Sequence, residues 1–290
     1  MTTDLAQKTD EEMIEERAIH GRALASLQDA GLKPMVGGAY ALRTHTGLWR
    51  DTKDLDLFLP KARIHEALRV LEGSGFRTEF TDPLWIAKAF DGPYFIDLIF
   101  SSGNGVAVVD AEWQSYASKG IVLDRESLIV PAEEMIWSKA FIQERERFDG
   151  ADVHHLIRAK GAAFDWERLL RRFGDHWPVL YGHLISFWFA FPSDRAQIPD
   201  WVMRELGGRL SAGLDRPAQK ERICRGTFLS RQQYLYELDN LGYADARELE
   251  VPDWRGDQAF PRPLRRNRPM PAANAEMSEG DEGDADRSGR

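Results

Sequence analysis

Asp54, Asp56 and Asp97 have the type and spacing to hold a metal ion. In an extended segment alternate side chains share a face. In Asp54-Leu-Asp-Leu-Phe-Leu59, therefore, Asp54, Asp56 and Phe58 point one way, and Leu55, Leu57 and Leu59 point the other. In Phe95-Ile-Asp-Leu-Ile-Phe100, Asp97 shares its face with Phe95 and Ile99. If the two strands are neighbours, three carboxylates converge, an arrangement that is costly unless a cation lies among them. Mg²⁺ suits oxygen ligands and binds through a few carboxylates together with substrate phosphates. Upstream, Gly37-Gly38 precedes a helical segment. Glycines let backbone approach a phosphate, and the free N–H groups of a helix start favour an anion. Together these residues describe metal-dependent chemistry on a nucleotide. No Gly-Lys-Ser/Thr follows the glycines, so they form no Walker A loop, and the dinucleotide fingerprint is absent as well.

The elements that must position these residues are legible in outline. Thr9 or Asp10 caps a helix that runs to about Ala30, with Glu11 and Glu12 in its first turn. Strands are expected over 32–36, 54–59, 76–80, 85–90 and 94–100, with short edge elements at 121–123 and 128–129. Helices are expected over 39–44 and from Pro60 through Leu71. From Pro131 onward the pattern is helical, over about 133–146, 150–159, 165–173, 176–190, 199–212 and 230–240. The fold class expected is α+β: an N-terminal mixed sheet flanked by helices over 11–130, then an all-α region over 131–254. Residues 1–10 and the Arg/Pro- then Gly/Ser/Asp/Glu-rich tail 255–290 have too few apolar residues to bury and are expected to be disordered.

Composition narrows the partners. A net charge of −9 argues against general DNA binding. Cys224 is the only cysteine, so no intramolecular disulfide and no cysteine-rich zinc site is encoded, which fits a cytoplasmic location. No membrane partner is expected: Val179–Phe191, the most apolar run, is too short to span a bilayer and reads as a buried helix. The adjacent His154 and His155 face different ways on a helix and read as solvated or core residues. The helical tryptophans Trp137, Trp166, Trp177, Trp188 and Trp201 read mostly as core.

The ordered set Val36-Gly37-Gly38, Asp54-Leu-Asp56 and Asp97 resembles the signature of the nucleotidyltransferase superfamily, the polymerase-β-like fold, and most closely its bacterial minimal and AbiEii-like branch. The resemblance covers about residues 30–160 and extends to Lys139, Asp149 and Asp152, which match a lysine and later aspartates on helices in that branch. It implies a transferase that moves an NMP group from an NTP to a hydroxyl acceptor and releases pyrophosphate. Asp54, Asp56 and Asp97 would hold Mg²⁺, with Asp97 also acting as base. Gly37, Gly38 and Lys139 would bind the triphosphate, and Asp149 or Asp152 would orient the lysine or the acceptor. Arg43, Arg50, Lys53, Arg145 and Arg147 read first as surface charges. The acceptor (a small molecule, a protein or tRNA) is not specified by these residues. Two alternatives remain at this stage: a non-catalytic nucleotide-binding protein on the same fold, or the toxin of a toxin–antitoxin pair.

Overall fold

The computed structural model describes residues 9–252, 254 and 255. The segments expected to be disordered, 1–10 and 255–290, lie almost entirely outside the described residues. Helix α1, Asp10–Asp29, starts from a capping box in which the Glu12 N–H donates to Thr9 Oγ1 and the Thr9 N–H donates to Glu12 Oε2. It buries Ala23, Leu24 and Leu27. Next come β1 (Met35–Val36), α2 (Gly38–Thr46), β2 (Asp54–Phe58), α3 (Ile64–Gly73), β3 (Arg77–Asp82), β4 (Ile86–Asp91) and β5 (Tyr94–Ile99). They are followed by α4 (Ala111–Tyr116), β6 (Ser118–Val122) and β7 (Arg125–Ile129).

These strands form one seven-stranded mixed sheet in the order β3-β4-β5-β2-β1-β7-β6. β2 runs parallel to β5, and β1 runs parallel to β7. The leucines expected on the inner face of β2 are fully buried, as are Ile96 and Leu98 of β5. Helices α1 and α3 cover that face at the β3–β5 end. Two features differ from the sequence-based expectation. Helix α4 has no strong apolar period; it is set by Asp110, whose carboxylate accepts from the N–H groups of Glu112 and Trp113. The elements expected as short edge pieces at 121–123 and 128–129 are a full hairpin, and its second strand pairs with both β1 and β6. The turn between them is Leu123-Asp124, both in the left-handed region (φ 51° and 63°). Asn or Gly ordinarily marks such a turn, so the usual hairpin signal is missing.

The helical part comprises α5 (Ala132–Lys139), α6 (Gly150–Lys160), α7 (Trp166–Phe173), α8 (Trp177–Ala190), α9 (Asp200–Leu214), α10 (Leu235–Asn240) and α11 (Ala246–Glu250), with a small β8–β9 pair (Ile223–Cys224 and Ala244–Asp245). The helix expected over 133–146 ends instead at Lys139. Residues 140–149 form a loop because Gln143 N–H donates to Leu229 O, Glu144 pairs with Arg231, and Gln143 bridges to Phe148. The helix expected from 230 begins only at Leu235. Helix α8 is apolar all round yet is packed on one side only. Ile185 is exposed, and Phe189 is 90% exposed, so the expectation of a buried helix holds for only one face. Trp137 and Trp166 are core, whereas Trp201 is exposed.

The helices are tied together by a buried ionic cluster. Arg168 of α7 is 1% exposed; it donates to Glu134 of α5, which is fully buried, and pairs with Glu133 at 3.0 Å. Its guanidinium also lies 3.9 Å from the Tyr116 ring centroid. Breaking one side of such a pair strands the other charge away from water. Arg168→Ala is therefore expected to lower unfolding stability by about 3–5 kcal/mol, read from urea denaturation, whereas an exposed pair such as Arg209–Glu205 contributes well under about 1 kcal/mol.

Candidate active site

The parallel register of β2 and β5 sets Asp56 directly opposite Asp97. Asp54 lies two residues before Asp56 on the same face. One carboxylate oxygen from each of the three aspartates falls within 4.8 Å of the others. This is the one cluster of potential metal ligands among the described residues. Thr52 Oγ1 donates to Asp54 Oδ1 at 2.5 Å and orients that carboxylate.

The glycine pair is held against this strand. The Gly37 N–H donates to Asp56 O at 2.9 Å, and Gly37 caps α2. A Cβ on Gly37 would collide with the edge of the Phe58 ring, 2.3 Å from its Cε2. A Cβ on Gly38 (φ +53°) would fall on the Asp56 carboxylate. Both positions are thus confined to glycine by close packing on β2, and Gly38 also by its backbone angle. The same packing brings the start of α2, where backbone N–H groups lack helical partners, next to the aspartates.

Three cations line the same cleft as the aspartates. Lys139, the last residue of α5, pairs with Asp149 at 2.7 Å and Asp152 at 2.9 Å. Arg147, on the loop that replaces the expected helix end, pairs with Asp149 at 3.0 Å; its side chain is 63% exposed. Arg50 donates to Asp152. The expectation that Arg50 and Arg147 are ordinary surface charges gives way to a different placement: both line the same cleft as the three aspartates. Three cations thus share two carboxylates, leaving positive charge directed into the cleft. Gly38, Lys139 and Thr227 to Arg231 of the C-terminal segment also line this cleft, whose volume is about 470 Å³. That volume lies within the range of small-ligand sites.

Two contributors have little or no signal in the sequence. Lys88 of β4 stands opposite Asp97 on the other side of β5 and donates to its Oδ1 at 2.7 Å. Its one signal is a lone lysine in the apolar run Ile86-Ala-Lys-Ala-Phe90. The segment Thr227–Arg231 gives none. It is held by Asn104 Nδ2 donating to Phe228 O, a contact 124 residues apart in the chain.

The electrostatics reflect this crowding. Burial, then the charges of Asp54 and Asp97, push Asp56 up to about 7, against the pull of Lys139 and Arg147. Burial raises Asp97 too, partly offset by Lys88. Asp149 is held below the usual carboxylate range despite its burial, chiefly by Lys139 and Arg147. A set of hard oxygen donors that repel one another this strongly fits a divalent cation such as Mg²⁺.

A mixed sheet with two strand aspartates facing a third across a parallel register, beside a glycine-started helix, is the arrangement that the sequence resemblance implies. No protein-family model and no curated protein matches the chain. Among solved structures, the antibiotic-resistance factor ANT(2'')-Ia is similar at 20% identity and TM-score 0.43, over 59% of this chain and 97% of that one. The lincosamide antibiotic adenylyltransferase LnuA matches at 15% and 0.35, over 51% and 96%. JHP933 from Helicobacter pylori matches at 15% and 0.40, over 72% and 100%. Among the described residues, no helix is long and apolar enough to cross a membrane.

Two outcomes are expected. Gly38→Ala displaces the Asp56 carboxylate and should abolish Mn²⁺ or Mg²⁺ binding, read by calorimetry. Asp56 titrates near 7 in the fold and near 3.9 unfolded. Between those pH values the folded chain holds the extra proton, so metal-free stability falls as pH rises from about 4 to 7 and is level above. Asp56→Asn should therefore melt higher than the parent in EDTA at pH 8, and this gain should shrink toward pH 4. A gain that is the same at both pH values would contradict the assigned shift.

Proposed function

We propose that the protein is a nucleotidyltransferase that moves an NMP group from an NTP to a hydroxyl acceptor, with Mg²⁺ as its metal. The observation that carries this reading is the convergence of Asp54, Asp56 and Asp97 beside the glycine-started helix, with Lys139 and Arg147 lining the same cleft. When bound, the divalent cation neutralises charge developing on the phosphates and positions the reacting oxygens. The Gly37 N–H is taken by Asp56 O, so triphosphate oxygens are received by the backbone N–H groups of the first turn of α2, beginning at Gly38. Lys139, held in place by Asp149 and Asp152, supplies a point charge to the same phosphates. Arg147 adds a second, more exposed donor.

In the reaction the acceptor hydroxyl oxygen attacks the α-phosphorus. The bond from that phosphorus to the bridging oxygen breaks, and pyrophosphate leaves. Asp97 takes the hydroxyl proton, and its upward shift brings it closer to the pH at which a base works well. Asp54 and Asp56 serve as metal ligands.

The purified chain is incubated with labelled NTPs, Mg²⁺ and candidate hydroxyl acceptors (small alcohols, proteins, tRNA), and pyrophosphate release is followed. Asp54→Asn, Asp56→Asn and Asp97→Asn should each lower turnover by about 10²-fold or more. Lys139→Ala should weaken NTP binding by about 10–100-fold, the equivalent of the 1.5–3 kcal/mol of a hydrogen bond to a charged group. Activity that survives Asp54→Asn and Asp56→Asn removes these roles. Absence of NTP binding in the presence of Mg²⁺ removes the reading.

A further inference from the structure

Lys88 pairs with Asp97 but, unlike Lys139 and Arg147, is not among the residues that line the cleft. Its position is set by the sheet: in the antiparallel β4–β5 register Lys88 is directly opposite Asp97, and in the β3–β4 register it is directly opposite Glu79. Both acids are within reach of its strand position. Glu79 is taken by Arg77 at 3.3 Å, and Lys88 turns to Asp97 Oδ1 at 2.7 Å. Its ammonium also lies 4.4 Å from the Phe95 ring centroid, the residue two before Asp97 on the same face. The side chain is 24% exposed, so the pair is only partly screened by water. The charges that bear on Asp56 are those of Asp54, Asp97, Lys139 and Arg147, whereas Lys88 bears on Asp97. The cluster therefore has two flanks: a phosphate flank neutralised by Lys139 and Arg147, and an Asp97 flank neutralised by Lys88.

We propose that Lys88 is the resident counter-ion of Asp97, a tethered cation that carries part of the positive charge this cluster would otherwise have to draw from divalent ions. Once a cation has displaced the proton from Asp56, the three aspartates set against the Lys88 ammonium carry two negative charges, which a single divalent cation balances. Without nucleotide the protein therefore holds one divalent ion at this cluster. Lys88 is a positioning residue: it fixes Asp97 Oδ1 and leaves the other oxygen for the cation or the acceptor's proton. This inference rests on the nucleotidyltransferase reading.

The test is Mn²⁺ binding to the full chain, followed by electron paramagnetic resonance and calorimetry, first without nucleotide and then with a non-hydrolysable α,β-methylene NTP. The parent should bind one Mn²⁺ without nucleotide. Lys88→Met should bind a second, or bind the first about tenfold or more tightly. Lys88→Arg should behave as the parent, and all three should bind the NTP analogue alike. Lys88→Gln stands in if Lys88→Met does not fold, and the parent's own stoichiometry needs no variant. Two Mn²⁺ on the nucleotide-free parent, or a Lys88→Met protein that matches the parent in number and affinity, overturns the role of Lys88 while leaving the functional reading intact. A parent that binds neither Mn²⁺ nor the NTP analogue overturns both.

Discussion

Three carboxylates brought together by the β2–β5 register are the constraint that shapes the whole site. Asp56 and Asp97 face each other across a parallel pair near the middle of the sheet, and Asp54 shares their face. Burial, together with their mutual repulsion, forces Asp56 up to about 7. The sheet cannot separate them without losing the leucines on its other face, because a one-residue slip in either strand would turn the whole apolar set outward. The fold therefore holds the carboxylates together through hydrophobic burial and leaves their charge to be met by cations, from the protein or from solvent.

The protein's own cations are arranged in a graded way. Lys139 is confined by two aspartates, Arg50 shares one of them, and Arg147 remains largely in water. Asp149 and Asp152 keep these side chains in place without discharging them all, which gives this part of the cleft a surplus of positive charge. An anionic ligand in the cleft would meet both backbone N–H groups and these cations.

The helical part contributes to the site through two segments. The end of α5 delivers Lys139, and the chain then leaves the helix so that Gln143 and Glu144 can engage Leu229 and Arg231. That departure brings Arg147 into the cleft and fixes Thr227 to Arg231 as its far lining. The ionic cluster of Arg168, Glu133 and Glu134 anchors α5 from behind, at the end away from Lys139. Both the rigidity and the shape of this side of the cleft thus come from contacts distant in the chain.

The local facts are legible in the residues alone. Alternation in Asp54–Leu59 and Phe95–Phe100 sets which side chains share a face, and the glycine pair marks the start of α2. Thr9 and Glu12 mark the start of α1, and the shift near residue 130 separates sheet from helices. All of these depend on neighbours two to four residues apart. It took the folded chain to bring Asp56 against Asp97, to put the Asp56 carboxylate where a Cβ on residue 38 would lie, and to turn Lys88 toward Asp97 rather than Glu79. Packing at long range also draws residues 140–149 out of the helix and leaves one face of α8 in water. Strand register, long-range hydrogen bonds and the presence or absence of a covering layer are set by distant parts of the chain, and no local pattern encodes them.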